Sequence, residues 1–584
     1  MQEHVQKEEE FDIRKIFVPF TSTKAIHWII IIGLVIFCNG LFNNFVGDDL
    51  PLITINPTIR SLQNIPLFFS SSIFYTGEGN QLGGFSYRPL QTTVFSLIYS
   101  VFGSSYVAYH FFQLLIYLVN VCLLFIFFKK YFKLSLAFLL SIIFLVHPIN
   151  SENVLYIAAM QEDLFFFFGI TSLLILQKYK SNTSLFLASL LLLFSLFSKE
   201  TGILFILISI LWIIFYKREL IYQWLGYVFC AIILYGILRV HAIGIFSESS
   251  VLAPIHDLSL PARLINIPAI ILFYLKTFIF PYDLSMSYYW VIDKISFGNF
   301  FAPLVIDLLF FFIASIPLVI FYRDHSRKFF KLYLFFAVWF LFGLLFHLQI
   351  IPLDLTVSDR WFYFPIVGLL GMIGVLFEAF NVKLNTKLTI SIIVFVIILL
   401  SLRTFIRTFD WRNEMTLATH DLKVSQAFNL ELIISSDYFN EGDYKDAQIY
   451  AQKSISLYPN AVNYNTLGLI YYDQHNYKEA KNAYIKSLHY GDSVYTYESL
   501  AVVDALYGNP SKNIDFVKNT ALRKFPHDSE ILYSLAWLEY NYGSKENAKK
   551  DIAEAYKYNQ NQQIASMYSA INNNKQLIRI SNPK

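Results

Sequence analysis

Apolar segments long enough to cross a membrane follow one another along the chain as far as Leu402. About eleven of them approach the roughly 20 residues that a helix needs to span the hydrocarbon core. Over the whole chain 56% of residues are hydrophobic and only 15% are charged, which is typical of a polytopic membrane protein. The sequence therefore predicts an all-α bundle of about 11 transmembrane helices over residues 25–410.

Basic residues recur after every second apolar segment. They stand at Lys129, Lys130, Lys133, Lys178, Lys180, Lys217, Arg218, Arg323, Arg327, Lys328, Lys383 and Lys387. Because Lys and Arg are enriched in cytoplasmic loops, this alternation predicts that residues 1–24 are a cytoplasmic tail and that the C-terminus is extracytosolic. Arg403, Arg407 and Arg412 follow the last segment and break the rule.

One apolar segment, residues 261–281, does not fit the alternation. A crossing there would reverse the orientation of every later segment and place the basic stretch RDHSRK outside. We therefore predict that this segment is re-entrant or packed on the outer face.

The composition changes after residues 411–427, which we interpret as a linker. Tyr444 and Tyr477 occupy matching positions in two similar stretches and are 33 residues apart, close to the period of ~34 residues in tetratricopeptide repeats. With two weaker copies there are about four units, enough for a continuous core. Residues 428–584 are thus predicted to form an extracytosolic α-solenoid, which either binds a partner or only stabilises itself.

Charge and cysteine content argue against two classes of function. The formal net charge is +3 and there is no basic run, so no nucleic-acid partner is expected. Cys38, Cys122 and Cys230 all fall in apolar segments, so neither a disulfide framework nor a zinc site is indicated.

Polar residues that can carry chemistry lie in the predicted outer loops. They are Asp48 and Asp49 in VGDDLP, His147 and Glu152 in VHPINSENV, Lys199 and Glu200 in SKET, and Asp359 and Arg360 in LTVSDRWFYFP. Ionisable groups at membrane depth are costly, which favours either a function or a partner for each. Four separate segments are predicted to converge on one face.

These groups also have structural interpretations. One of the adjacent carboxylates Asp48 and Asp49 would act as a general base beside a supporting carboxylate; alternatively both cap a short interfacial helix. His147 either acts in the site or ends a span, and Glu152 is its predicted partner.

Lys199 and Glu200 are also adjacent. Either they bind a ligand, or they form an ion pair with each other that neutralises both charges.

The order of several sequence blocks carries a family resemblance. GDDLPLITINPTI and YRPL are followed by YHFFQLLIYLVN, HPINSENVLYI, SKETGI, FPYDLSMSY and DRWFYFP. In this order, and with the terminal repeats, the chain resembles the transmembrane and tetratricopeptide-repeat O-mannosyltransferases. That family belongs to the type C glycosyltransferases and is related to the protein O-mannosyltransferases.

The resemblance implies a membrane glycosyltransferase that moves a sugar, mannose or another hexose, from a polyprenyl-phosphate donor to an extracytosolic acceptor. It assigns the base or acceptor-binding role to Asp48, with Asp49 beside it, and the donor phosphate to Arg360. In a purely structural role, Arg360 would instead snorkel and pair with Asp359. Lys199 and Lys276 are the next candidates for the phosphate, and the residues expected to support the site are Arg88, His147, Glu152, Asp163 and Glu200.

One block departs from the family pattern. Family members tend to have Gly-Arg shortly before the aspartate of the fourth span, whereas this chain has Met160 and Gln161 before Asp163. The contact made by that arginine is therefore not expected here, and the donor sugar is less well defined than the type of reaction.

The reaction itself needs a group to take the hydroxyl proton and cations to stabilise the departing phosphate. It requires no cofactor, although a carboxylate pair can hold Mg²⁺ or Mn²⁺. The expected partners are a polyprenyl-phosphate sugar, a protein or glycan acceptor, membrane lipid, and a protein bound to the repeats.

Two other functions remain open. A non-catalytic membrane scaffold could recruit partners through its repeats, and a ligase or polymerase could move whole lipid-linked glycans. The richness in Ile, Asn, Lys and Phe and the low potential for disulfides favour a bacterial plasma membrane over the endoplasmic reticulum.

Overall fold

The computed structural model describes residues 20–75, 86–244, 252–382, 386–507 and 509–575. Every regular element in these ranges is a helix, as predicted. The chain divides into two compact units, Met1–Val424 and Ser425–Lys584. Most of the predicted cytoplasmic tail and the basic residue Lys383 lie outside the described residues.

The first unit is built of apolar helices joined by short connections. Its helices of eight or more residues are Ser22–Phe37, Pro89–Phe102, Tyr106–Phe128, Leu134–Val146, Met160–Lys178, Asn182–Ser198, Ile203–Tyr216, Ile221–Ile243, Leu260–Ile279, Ala302–Arg323, Arg327–Leu345, Pro365–Ala379, Lys387–Asp410 and Glu414–Asp421. The shorter helices Ile65–Phe68 and Ser151–Leu155 and several 3₁₀ and π turns lie in the connections.

Within the described ranges, eight helices are long and apolar enough to cross a membrane. A further crossing can be made by Leu134–Val146 and Pro148–Leu155 together, two helices bent by 55°. Three shorter apolar helices are Asn182–Ser198, Glu200–Tyr216 and Pro365–Ala379. The described residues therefore contain eight or nine candidate spans, against the about 11 that the sequence predicts, and Leu260–Ile279 is one of the eight.

The segment that breaks the alternation forms one continuous helix, Leu260–Ile279, and not the broken pair of a re-entrant loop. Non-helical chain runs beside it: the N–H of Ile292 donates to Oδ1 of Asn266 (2.8 Å), and Nε of Arg263 donates to the carbonyl of Gln349 (2.9 Å). Lipid-exposed irregular backbone does not occur in the hydrocarbon region. These contacts hold the first two turns of the helix against other parts of the protein, while its length and hydropathy make it one of the eight candidate spans, so its packing on the outer face stays a prediction.

Two of the three arginines that break the positive-inside rule, Arg403 and Arg407, are paired with acids. Arg407 is 1% exposed and donates to both carboxylate oxygens of Asp421, at 2.7 and 3.2 Å. Asp410 lies 3.3 Å from Arg407 and 3.9 Å from Arg403. Because these charges are neutralised inside the protein, they do not by themselves mark a cytoplasmic loop.

The second unit consists of helices that pair with their neighbours along the chain. They are Phe428–Asn440, Tyr444–Leu457, Ala461–Asp473, Tyr477–Tyr490, Val494–Leu506, Pro510–Phe516 with a π turn to Leu522–Lys524, Ser529–Tyr542, Lys545–Tyr558 and Gln562–Asn572. The first helices of the four pairs begin 33, 33 and 35 positions apart. A Cβ on Gly468 would lie 2.4 Å from Cε1 of Tyr484, so the two helices of that pair can approach closely only because this residue is glycine.

The predicted orientation can be tested by accessibility to an impermeant thiol reagent. Cysteines placed singly at Ser511 and Ser326, in a variant without the three native cysteines, are predicted to differ. We expect labelling of S511C from outside the membrane and labelling of S326C only after permeabilisation, because the basic loops alternate in that sense. The opposite pattern would reject the topology.

Candidate active site

The turn at residues 46–49 presents two carboxylates in different directions. Gly47 has a φ of 53°, in the region that favours glycine. A Cβ there would also lie 3.2 Å from the hydroxyl of Tyr156. The chain thus turns tightly against Tyr156 as it leaves the first predicted span.

Asp49 is a structural carboxylate. It is 0% exposed, its Oδ2 accepts from the N–H of Val46 (3.1 Å), and its Oδ1 accepts from the N–H of Ala158 (2.6 Å). Burial raises the pKa of Asp49 well above its ordinary range, although the hydrogen bonds from Val46 and Ala158 lower it. Because both oxygens are engaged, Asp49 fits the predicted supporting role and joins two loops that are distant in sequence.

Asp48 is the carboxylate that reaches solvent. Its N–H donates to the hydroxyl of Tyr156 (3.0 Å), which fixes the backbone below the side chain. Enclosure by the protein raises the pKa of the Asp48 carboxyl, while the charge of Arg360 and a hydrogen bond from Tyr156 lower it. The side chain is thus accessible yet has Tyr156 and the charge of Arg360 close by; we call this region the cleft, and it suits a general base. Neither acid caps the turn that follows with its side chain, so the capping interpretation is wrong.

Arg360 lies beside the ring of Tyr156 and is held by Glu152. Its Cζ is 5.7 Å from the centre of the Tyr156 ring. Its guanidinium forms an ion pair with Glu152, and its backbone N–H donates to Oε2 of the same carboxylate (3.0 Å). The hydroxyl of Ser358 donates to that oxygen as well (3.2 Å).

Both predicted partners in this region are therefore wrong. Glu152 pairs with Arg360 and not with His147, and Arg360 does not pair with Asp359. The physical reason is geometric: two short helices, Ser151–Leu155 and Asp359–Phe362, bring Glu152 and Arg360 together although they are 208 residues apart.

A second buried ion pair lies at the end of the helix Asn182–Ser198. Lys199 forms a buried ion pair with Glu162 and not with Glu200. Glu200 lies 3.6 Å from Nε of Arg88 and accepts from the N–H of Tyr87 (3.4 Å). The predicted mutual pairing of Lys199 and Glu200 is wrong because successive residues at a helix end point in different directions.

Three further residues that the sequence predicts for the site make contacts away from Asp48 and Arg360. They are His147, Lys276 and Asp163. His147 ends Leu134–Val146 at the 55° bend: its Nε2 donates to the carbonyl of Phe278 (2.9 Å), and its Nδ1 accepts from the N–H of Ile149 (3.3 Å). This agrees with the structural interpretation of His147. Lys276 forms an exposed ion pair with Asp283 (3.0 Å).

Asp163 lies in the interior and contacts amides. Nε2 of Gln113 donates to its Oδ2 (3.2 Å), and Nδ2 of Asn120 lies 3.4 Å from its Oδ1 and 3.2 Å from the hydroxyl of Tyr363. This network ties the helix Tyr106–Phe128 to its neighbours, so Asp163 supports the bundle and not the cleft directly.

Sequence reasoning missed four residues that shape this region: Tyr156, Glu162, Asp354 and Glu414. Asp354 is exposed, and its negative charge interacts electrostatically with Asp48 and with Arg360. Oε1 of Glu414 accepts from the N–H of Gly47 (2.8 Å). Glu162 had a visible signal, since it stands beside Asp163 inside an apolar segment. Tyr156 gave no such signal in the sequence, because aromatic residues are common in apolar segments.

Fold and site together define an all-α polytopic membrane protein in which a solvent-exposed carboxylate and a held guanidinium flank one tyrosine. The chain is similar to proteins named protein O-mannosyl-transferase. It is 22% identical over 464 residues to Protein O-mannosyl-transferase F38B6.6 of Caenorhabditis elegans, a match that covers 74% of this chain and 62% of that protein. These names confirm the resemblance predicted from the order of the sequence blocks.

A second relative is Protein O-mannosyl-transferase TMTC3 of Homo sapiens, 28% identical over 153 residues, which are 25% of this chain and 16% of that protein. The chain thus spans less than two thirds of the length of either curated relative. No protein-family model matches the chain.

Proposed function

We propose that the protein is a membrane glycosyltransferase that moves mannose or another hexose from a polyprenyl-phosphate donor to a protein hydroxyl on the extracytosolic face. The observation that carries this proposal is the division of roles between the two adjacent carboxylates. Asp49 is buried and fully engaged, whereas Asp48 is exposed in a cleft next to Arg360. The names of the two relatives support the same class of reaction.

In the proposed reaction the acceptor hydroxyl gives its proton to Asp48. The hydroxyl oxygen forms a bond to the anomeric carbon, and the bond from that carbon to the phosphate oxygen breaks. The phosphate leaves with the electron pair, and Arg360 stabilises the negative charge that develops on it.

Glu152 makes Arg360 suitable for this role. The backbone and side-chain contacts of Glu152 fix the guanidinium in one place, and none of the described residues accepts a hydrogen bond from its Nε or Nη2. A planar guanidinium with free N–H donors can form two parallel hydrogen bonds to two oxygens of a phosphate. Lys199 is buried and paired with Glu162, so its charge is balanced within the protein and Arg360 is the cation proposed to meet the phosphate.

The direct test supplies the purified chain with radiolabelled polyprenyl-phosphate sugars and a membrane extract. We expect label from polyprenyl-phosphate mannose, or from one other hexose donor, to appear on protein. Label that appears only on lipid-linked glycans would support a ligase or polymerase instead. No consumption of any donor would support the scaffold.

The repeats are proposed to bind the protein acceptor, since a tethered solenoid raises the effective concentration of its ligand near the cleft. Deletion of residues 428–584 is then expected to impair transfer to protein while donor binding persists. Both can be measured on the same preparation, by incorporation of label and by donor titration. Unchanged transfer by the folded, truncated enzyme would reject this role.

The protein is a multi-pass membrane protein, and its named relatives come from a nematode and a human. The compositional preference for a bacterial plasma membrane stays a prediction, as does the extracytosolic position of the repeats.

A further inference from the structure

The segment between the last span and the second unit is folded against the turn that carries Asp48. The ring of Trp411 lies 5.7 Å from the ring of Tyr156. The N–H of Asn44 donates to the carbonyl of Arg412 (3.0 Å). The sequence suggested a linker here, but the structure has the helix Glu414–Asp421 within the first unit.

The first residue of this helix holds the turn directly. Oε1 of Glu414 accepts from the N–H of Gly47 at 2.8 Å, and the hydroxyl of Tyr156 accepts from the N–H of Asp48 at 3.0 Å. Both peptide groups that precede the Asp48 side chain are therefore bound by side-chain acceptors. Gly47 has a φ of 53°, and glycine is the residue whose backbone moves most freely when such a contact is lost.

The last residue of the helix is anchored as well. Oδ2 of Asp421 accepts from the N–H of Met286 (2.7 Å), and Arg407 donates to both carboxylate oxygens. Asp421 is 0% exposed, and the paired guanidinium of Arg407 contributes to keeping its pKa below the ordinary range. Asn413 caps the first turn by accepting from the N–H of Thr416 (2.8 Å). A short helix fixed at both ends is a rigid support for the contact made by Glu414.

We propose that Glu414 is a positioning residue that acts through the Gly47 peptide to aim Asp48 into the cleft. The inference rests on the proposed function and deepens it, because it names what places the base. Loss of the acceptor leaves the Gly47 N–H to water and lets the turn relax, and a displacement of about 1 Å at a reacting group can cost about 10²-fold in rate. The donor site is untouched, since Arg360 is held by Glu152.

The test compares the full-length, purified wild type with three substitutions of one residue: Glu414→Ala, Glu414→Met and Glu414→Gln. Methionine keeps the length of the side chain but accepts no comparable hydrogen bond, and glutamine keeps an oxygen acceptor. Glu219→Ala is the matched control, because Glu219 is an exposed acid paired only with Lys180 (3.0 Å) among the described residues. Amide hydrogen exchange is followed over residues 43–52, and transfer is followed with radiolabelled polyprenyl-phosphate mannose and membrane extract.

We expect the alanine and methionine variants to exchange about tenfold faster over residues 43–52. Their kcat should fall about 10- to 100-fold with little change in the KM for the donor. The glutamine variant should show exchange over residues 43–52 and a kcat close to those of the wild type. Glu219→Ala should match the wild type in both measurements. Should Glu414→Ala fail to fold, Glu414→Met and Glu414→Gln still give the comparison.

Unchanged exchange in the methionine variant would overturn the proposal, and so would faster exchange with an unchanged kcat. Failure of the glutamine variant to recover would also overturn it, because the acceptor oxygen would then not be the cause. If the wild type transfers no sugar, the proposed function is rejected, and the exchange measurement alone decides whether Glu414 holds the turn.

Discussion

Asp48→Asn is expected to abolish nearly all transfer while the protein remains folded. Asparagine has almost the same shape but cannot take the hydroxyl proton, and loss of a general base typically costs about 10² to 10⁴ in rate. Asp48 is exposed, and its carboxylate accepts from no backbone N–H of the described residues, so thermal stability should stay close to that of the wild type. Initial rates and melting temperatures of the purified variants give both quantities.

Asp49→Asn is the matched control for this substitution. Its side chain is buried and both oxygens accept from backbone N–H groups, so the amide must turn its NH₂ toward one of those donors. An unsatisfied buried donor costs about 1–3 kcal/mol, and we expect a lower melting temperature with a smaller loss of rate. Full turnover in Asp48→Asn with a dead Asp49→Asn would reverse the assignment, and two active variants would place the site elsewhere.

The pH dependence of transfer provides a further check on Asp48. Its pKa is raised above the ordinary aspartate value of 3.8 by enclosure and is lowered by Arg360. A base is active when deprotonated, so the rate should be lost as pH falls through this raised pKa. Removing the charge of Arg360 should move the acid limb to higher pH.

Arg360→Lys is expected to weaken donor affinity and to slow transfer while the protein stays folded. Lysine keeps the charge that Glu152 needs, but it supplies a point charge without the two parallel donors that match phosphate oxygens. It also loses the planar contact with the ring of Tyr156, now at 5.7 Å. Donor titration and steady-state kinetics measure both effects. A lysine variant with unchanged affinity and rate would falsify the phosphate role and leave Lys199 or Lys276 as the next candidate.

Arg360→Ala should lose more activity and also stability. Glu152 is 2% exposed, and a buried charge left without its partner destabilises a protein by about 3–5 kcal/mol. The double variant Arg360→Ala with Glu152→Gln separates the two effects. Glutamine is neutral but its oxygen still accepts from Ser358 and from the backbone at position 360, so stability should return while transfer remains lost.

The amino-acid sequence by itself determined the class of the fold. The lengths of the apolar segments predicted the helices, because the thickness of the bilayer sets how many apolar residues a span needs. The spacing of Tyr444 and Tyr477 predicted the paired helices of the second unit, whose first helices recur every 33 to 35 residues. These are local, periodic properties, and a one-dimensional pattern contains them.

Only the tertiary structure decided which charges meet. Adjacency along the chain suggested Lys199 with Glu200 and Arg360 with Asp359, whereas the ion pairs are Lys199 with Glu162 and Arg360 with Glu152. Neighbouring residues at a helix end point apart, and the ends of helices that are distant in sequence meet on one face.

The roles of Asp48 and Asp49 could not be separated in sequence for the same reason. Which carboxylate is buried depends on where the N–H of Ala158 lies, 109 residues away. Likewise the helix Glu414–Asp421 has too weak an apolar pattern to be distinguished from a linker, and its partners Gly47, Met286 and Arg407 come from three other parts of the chain. Pairing and burial are set by contacts between distant segments, so they follow from the packing of the bundle and not from any local stretch.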